Sequence, residues 1–166
     1  MDELSYGSIV VGVDGSAASL AALRWAADQA AALRSPLVAV HAWLPTARLR
    51  APYAPAAGLR TAEQDLSRAA ETLEETVARL LRTDRDARVH ALVDQGPPVA
   101  VLLRHARHAL LLALGRSPRE EAAQPALGAV AREVARRAPC PVVTVPEPPR
   151  EARPGELPWL LPQMTA

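Results

Sequence analysis

LLLALG, residues 110–115, is apolar at every position until its glycine. A strand with no polar alternate is covered on both faces, as in a parallel sheet flanked by helices. The segment that follows, RSPREEAAQPA (116–126), is polar, and LGAVAREV (127–134) resumes at helical spacing. Apolar run, Gly115, polar loop, Gly128 and helix form the layout of a βα loop able to cradle an anion. Free backbone N–H groups and the dipole of a helix start attract negative charge, and glycine permits close approach. Spacing alone leaves a second reading open, in which Gly115 ends a strand and Gly128 allows tight packing.

Working outward, short apolar runs alternate with helical patterns. SIVVGVD (8–14) reads as a strand ending in the turn formers Asp14 and Gly15, and Ser16 is placed to cap a helix. Leu20, Leu23, Ala27, Ala30 and Ala31 share its apolar face to about Arg34, where Ser35-Pro36 stops it. LVAVHAW (37–43) is a second strand. Residues 44–60 hold three prolines and a glycine without periodicity, a loop longer than the usual connection of about 4–6 residues. Thr61 and Gln64 predict a capping box, and Leu66, Ala70, Leu73, Val77 and Leu81 predict the buried face of a helix ending near Arg82. ARVHALV (87–93) is the third strand, DQGPP (94–98) a turn, 98–107 a short helix, 125–138 the last helix and PVVTV (141–145) the fifth strand. Five strands with four intervening helices predict a doubly wound α/β sandwich. Its ligands bind at the strand carboxyl ends, which here carry Asp14, Ala42 and Gly115.

Length and composition agree. A chain of 166 residues, 49% hydrophobic, suits one domain with a full core. A net charge of +1 provides no field that argues for nucleic acid or a membrane surface. All 19 basic residues are Arg, which removes lysine-dependent phosphate grips, Schiff bases and general bases. Cys140 is alone and reads as a structural thiol. The start, MDELSYGS, lacks the apolar core of a signal peptide, and no apolar stretch approaches the roughly 20 residues that span a bilayer. A cytoplasmic protein is expected. Residues 147–166 are proline-rich and predict a flexible tail whose PWLLP segment, around Trp159, is its one apolar feature.

Other constellations lead away from catalysis. GRSPR (115–119) misses the nucleophile elbow at its last glycine, and no histidine follows Ser117. His105 and His108 are three apart, yet no carboxylate or thiol cluster joins them in sequence, so no metal site is expected. His41 and His90 read as hydrogen-bonded strand residues, and AREVARR (131–137) as a solvated basic face. No catalytic acid–base pair is visible.

IVVGVDGS (9–16), LVAVHAW (37–43), LALG (112–115) and LGAVAREVARRAPCPVVTV (127–145), in that order, resemble the universal stress protein domain across roughly residues 5–146. The resemblance implies a five-stranded parallel sheet in order 3-2-1-4-5, a homodimer, and a non-catalytic stress-response module over residues 1–146. It also implies a nucleotide site. Nucleotide-binding members carry G-x2-G-x9-G followed by Ser or Thr around the ATP phosphates. On this sequence the glycines fall on Gly115, Pro118 and Gly128, and the hydroxyl on Ala129. The site residues implied are Gly12, Val13, Asp14, Ala42, Gly115, Arg116, Ser117, Gly128, Ala129 and Val130. Pro118 has no N–H and a fixed φ, and Ala129 has no hydroxyl. These departures predict weak or absent ATP binding, with AMP-like ligands less affected. The alternative is a competent adenine-nucleotide site in which Arg116, Ser117 and Arg119 replace the lost donors.

Overall fold

A computed structural model describes residues 7–49, 60–117 and 127–147. Strands β1 (Ile9–Gly12), β2 (Leu37–Trp43), β3 (Val89–Gln95), β4 (Leu111–Arg116) and β5 (Val142–Pro146) alternate with helices α1 (Ala17–Leu33), α2 (Ala62–Leu81), α3 (Pro98–His105) and α4 (Ala129–Arg137). The sheet is parallel throughout, in order β3-β2-β1-β4-β5. Central β1 is apolar on both sides because both sides are covered. Ile9 and Val11 face α1 and α2 with Leu23, Leu37, Leu73 and Leu80, whereas Val10 faces α3 and α4 with Val101, Leu112 and Val134.

The expected helix starts are present. Ser16 Oγ accepts from the Ser19 amide at 3.1 Å. Thr61 and Gln64 exchange both capping-box bonds, at 2.9 and 3.2 Å. Several boundaries differ from expectation. The turn expected at 94–98 begins later, because Asp94 and Gln95 pair with Ala42 and Trp43 as the end of β3. Ala106–His108 tighten into a 3-10 turn that ends the helix expected over 98–107. The loop expected over 44–60 begins with a 3-10 turn at Thr46–Leu49. Residues 125–126 of the last expected helix, Pro118 and Arg119, and the tail from 148 with its PWLLP segment lie outside the described residues.

The buried stripe of α2 is the largest correction. Leu66 and Leu81 stand 42% and 37% exposed, while Asp65, Ala69, Leu73, Thr76 and Leu80 are buried. The helix is rotated by about one position because a carboxylate outcompetes a leucine for the inside. Asp65 Oδ2 accepts from the Thr46 amide at 2.6 Å, and its Oδ1 accepts from Thr46 Oγ1 at 2.8 Å and Arg60 Nε at 2.7 Å. One buried carboxylate thus ties both ends of the long β2–α2 connection to the first turn of α2. These partners, Arg60 first, lower its pKa to about 2. A group with a depressed folded pKa stabilises the fold above its unfolded pKa, and that stability is lost as pH falls through the folded value. Acid unfolding monitored by circular dichroism is therefore expected to show stability falling between about pH 4 and pH 2. Asp65→Asn is expected to be less stable at neutral pH and to lose that part of the slope; an unchanged slope would refute the clamp.

Cys140 is half-buried against the core on the α3 and α4 side of the sheet, and burial pushes its thiol pKa up.

Candidate functional site

The winding reverses at β1: the chain first builds β2 and β3 on one side, then crosses to β4 and β5 on the other. Carboxyl ends at such a switch point splay apart and leave a crevice. Here it is a cleft of about 430 Å³. Gly12, Val13 and Asp14 enter it from the end of β1, Ala42 from β2, and Gly115, Arg116 and Ser117 from the end of β4. Gly128, Ala129 and Val130 enter from the start of α4. All ten residues singled out from the sequence therefore line one cleft.

The walls between them were not foreseen. Val40, Leu102 and Leu114 make the apolar floor, and Ser16 and Ser19 bring in the first turn of α1. The DGS turn held the signal for Ser16, since a helix that follows a strand end so closely must start at the crevice, and Ser19 follows it one turn into α1. Leu102 carried no such signal, because only the pairing of β1 with β4 brings α3 beside the cleft.

The two helix starts at the cleft differ electrostatically. That of α1 is capped by a side chain, Ser16 Oγ accepting from the Ser19 amide at 3.1 Å, and has a carboxylate beside it, Asp14 Oδ1 accepting from the Ser16 amide at 3.0 Å. The start of α4 has Gly128 as its cap, no side-chain cap bond and no acidic residue in its first turn. The first N–H groups of a helix lack intrahelical partners, so those of Ala129 and Val130 are left for an anion. Arg116 adds a guanidinium whose Nε is buried without a hydrogen-bond partner. Asp14 lies exposed across the cleft. Partial desolvation acts to raise its pKa, but the hydroxyl and amide of Ser16 outweigh it and hold the carboxyl below its ordinary range. One end of the cleft therefore presents donors and positive potential, and the other an ionised acceptor.

The remaining titratable groups serve structure. His41 Nδ1 donates to the Val13 carbonyl at 2.7 Å, tying the ends of β1 and β2. His90 is exposed on β3, so the hydrogen-bonded role expected of it is not seen. His105 is buried, and its Nε2 lies 2.8 Å from Asp94 Oδ2, which also accepts from Arg104 at 2.6 Å. Burial works against the Asp94 charge, but Arg104 and His105 prevail and lower its pKa. Among the described residues, no three His, Cys, Asp or Glu side chains are grouped as metal ligands, and no helix is long and apolar enough to cross a membrane.

Comparison with known proteins follows this geometry. Residues 5–146 match the universal stress protein family. Universal stress protein Rv2028c of Mycobacterium tuberculosis is 33% identical over 138 residues, which cover 83% of this chain and 47% of that protein. The chain spans about half the length of the curated relatives it matches. Among solved structures, a universal stress protein in complex with cAMP superposes with a TM-score of 0.61 at 26% identity, covering 86% of this chain and 98% of its own. The universal stress protein from Archaeoglobus fulgidus in complex with dAMP gives 0.56 at 27% identity, with 84% and 98% covered.

Proposed function

This chain belongs to the universal stress protein family, and from that premise we propose that it is a non-catalytic, cytoplasmic stress-response module whose cleft takes an adenine mononucleotide and holds ATP weakly. The observation that carries the reading is the imbalance within the cleft. Its walls and its Asp14 end are complete, while the anion end offers the first amides of α4, an alanine at position 129 and one arginine. That set suits a single phosphate. A triphosphate would also call on the second glycine position of the family's loop motif, held in this sequence by Pro118, which donates no N–H. The volume lies toward the lower end of the roughly 300–1,000 Å³ typical of small-molecule sites. Two solved relatives are complexes with adenine mononucleotides, cAMP and dAMP.

Asp14 would accept from ribose hydroxyls, and the backbone at Ala42 would meet the base. Ser117, exposed at the rim, and Val130 would flank the phosphate. The homodimer is proposed across β5, the outer strand, whose half-buried Val142, Val143 and Val145 lie at an edge needing cover.

A second reading has the arginines replace the lost donors so that ATP binds competently. The unpartnered Nε of Arg116 favours it. Isothermal titration decides between them. We expect AMP to bind at least as tightly as ATP. Submicromolar ATP affinity that is lost in Arg116→Gln would overturn the first reading and establish the second.

A further inference from the structure

The chain leaves the sheet at the mouth of the cleft. β5 runs parallel to β4, so both end at the same edge, and the Glu147 amide donates to the Arg116 carbonyl at 3.0 Å. Arg116 itself lines the cleft. From there the sequence continues as PPREARPGELPWLLP (148–162). Its apolar cluster, Leu157, Trp159, Leu160 and Leu161, has no part in the nucleotide reading. The cleft offers matching apolar surface. Val40, Leu102 and Leu114 form the floor, with Pro98 beside them, and Val130 stands 36% exposed at the start of α4. An aromatic side chain that fills such a pocket removes about 150–250 Å² from water.

We propose that residues 156–161 (ELPWLL) dock in the chain's own cleft and compete there with the mononucleotide. The competition rests on the cleft being an adenine-nucleotide site; the docking does not. Each end of the cleft has a counterpart in the segment. The Glu156 carboxylate is an anion for the first amides of α4 and the Arg116 guanidinium, as a phosphate would be. The Trp159 indole is a planar fused bicycle like adenine, and its N–H, a donor only, has the Asp14 carboxylate to meet. Proline at 158 favours an extended Leu157, and one polyproline-type turn of three residues brings Glu156 and Trp159 to one side, about 9 Å apart. Reach is not limiting. Nine residues lead from Glu147 to Glu156 and span up to about 30 Å, and Pro154-Gly155 is a turn signal that sends the chain back. A short tether holds the segment at roughly millimolar effective concentration, so modest contacts suffice. The other apolar surface near the exit is the edge of β5. Pro158 and Pro162 lack the N–H groups of a continuous ladder there, which leaves that edge to the dimer.

Fluorescence and calorimetry of the full chain test the docking and the competition separately. Trp25 and Trp43 lie half-buried in the fold, so the emission of the wild type minus that of Trp159→Phe isolates the third indole. Without nucleotide this emission is expected to be blue-shifted and shielded from acrylamide, equally at every protein concentration. Val130→Glu, measured against its own Trp159→Phe background, should release the indole, because it sets a carboxylate at the start of α4 against Glu156. Position 130 is exposed, and circular dichroism checks that the fold is kept. By titration, AMP should bind Trp159→Ala and Glu156→Ala about fivefold or more tightly than the wild type, since occupied clefts lower the apparent affinity by the free fraction. An indole quenched as freely as that of a peptide overturns the proposal. So does shielding that survives Val130→Glu, which would place the segment on another surface, and shielding that grows with protein concentration, which would place it on a second copy. AMP affinity indifferent to both tail variants overturns it too. If AMP binds none of these chains, the nucleotide reading fails and takes the competition with it, while a shielded indole released by Val130→Glu sustains the docking.

Discussion

Gly115→Ala is expected to cost about 3 kcal/mol or more and to lower the melting temperature by roughly 6–12 °C. A Cβ at this position would lie 2.4 Å from the carbonyl carbon of Ala18, 2.5 Å from its oxygen and 2.6 Å from the Ser19 nitrogen. Carbon atoms in contact sit about 3.5–4.0 Å apart, so something has to move by more than an ångström. The obstacles are backbone atoms in the first turn of α1, which cannot swing aside as a leucine terminus can. That turn is also locked by Ser16 and Ser19 and sits on the central strand pair. The helix must lift from the end of β4, which opens one wall of the cleft, so AMP affinity should fall together with stability. Gly128→Ala is the control. Nothing lies within 4 Å of its added Cβ and its φ is −60°, so it should cost no more than about 1 kcal/mol. Differential scanning calorimetry of the two variants tests the contrast. Equal melting temperatures would mean that β4 does not approach α1 as closely as the structure places it.

The same two glycines show what was legible in the sequence. Their spacing left open whether each served a ligand or packing, and the structure divides the answer between them. Gly115 is required by packing against α1, whereas Gly128 faces open space at the cleft and caps α4 without a side chain. A one-dimensional pattern could not separate these cases, because the atoms that crowd Gly115 belong to a helix almost a hundred residues earlier. The strands were legible as short apolar runs between helical patterns, whereas their order in the sheet was implied by the family resemblance and by no run of residues. The face of α2 was misread. Apolar periodicity ranks Leu66 above Asp65, but Thr46 and Arg60 arrive with three hydrogen-bond donors for the carboxylate and none for the leucine. Asp94 was assigned to a turn on its sequence neighbours Gly96 and Pro97. The parallel pairing of Ala42 with Asp94 carried β3 past that point, and Arg104 and His105 then fixed the carboxylate. In both cases a long-range polar partner decided the outcome, and polar partners have no period.

Replacing Pro118 by glycine and Ala129 by serine is expected to raise ATP affinity by about a hundred- to ten-thousand-fold while changing AMP affinity far less. Ala129 is the first residue of α4 and lines the cleft, so a serine there would set a hydroxyl beside the free amides of the helix start. Pro118→Gly restores a backbone N–H and releases φ at the second glycine position of the loop motif. Each recovered hydrogen bond to a charged phosphate is worth about 1.5–3 kcal/mol, and tenfold in affinity corresponds to about 1.4 kcal/mol. The two changes should also reinforce each other. If both groups grip the same triphosphate, the double variant gains more than the two single variants combined, whereas independent contacts simply add. Titration of ATP and AMP against the wild type, both single variants and the pair measures this coupling directly. ATP affinity that fails to rise in the pair, with AMP binding intact, would place the weakness outside these two positions. A wild type that already binds ATP as tightly as the pair would show that Arg116 and its neighbours had restored the grip by another route.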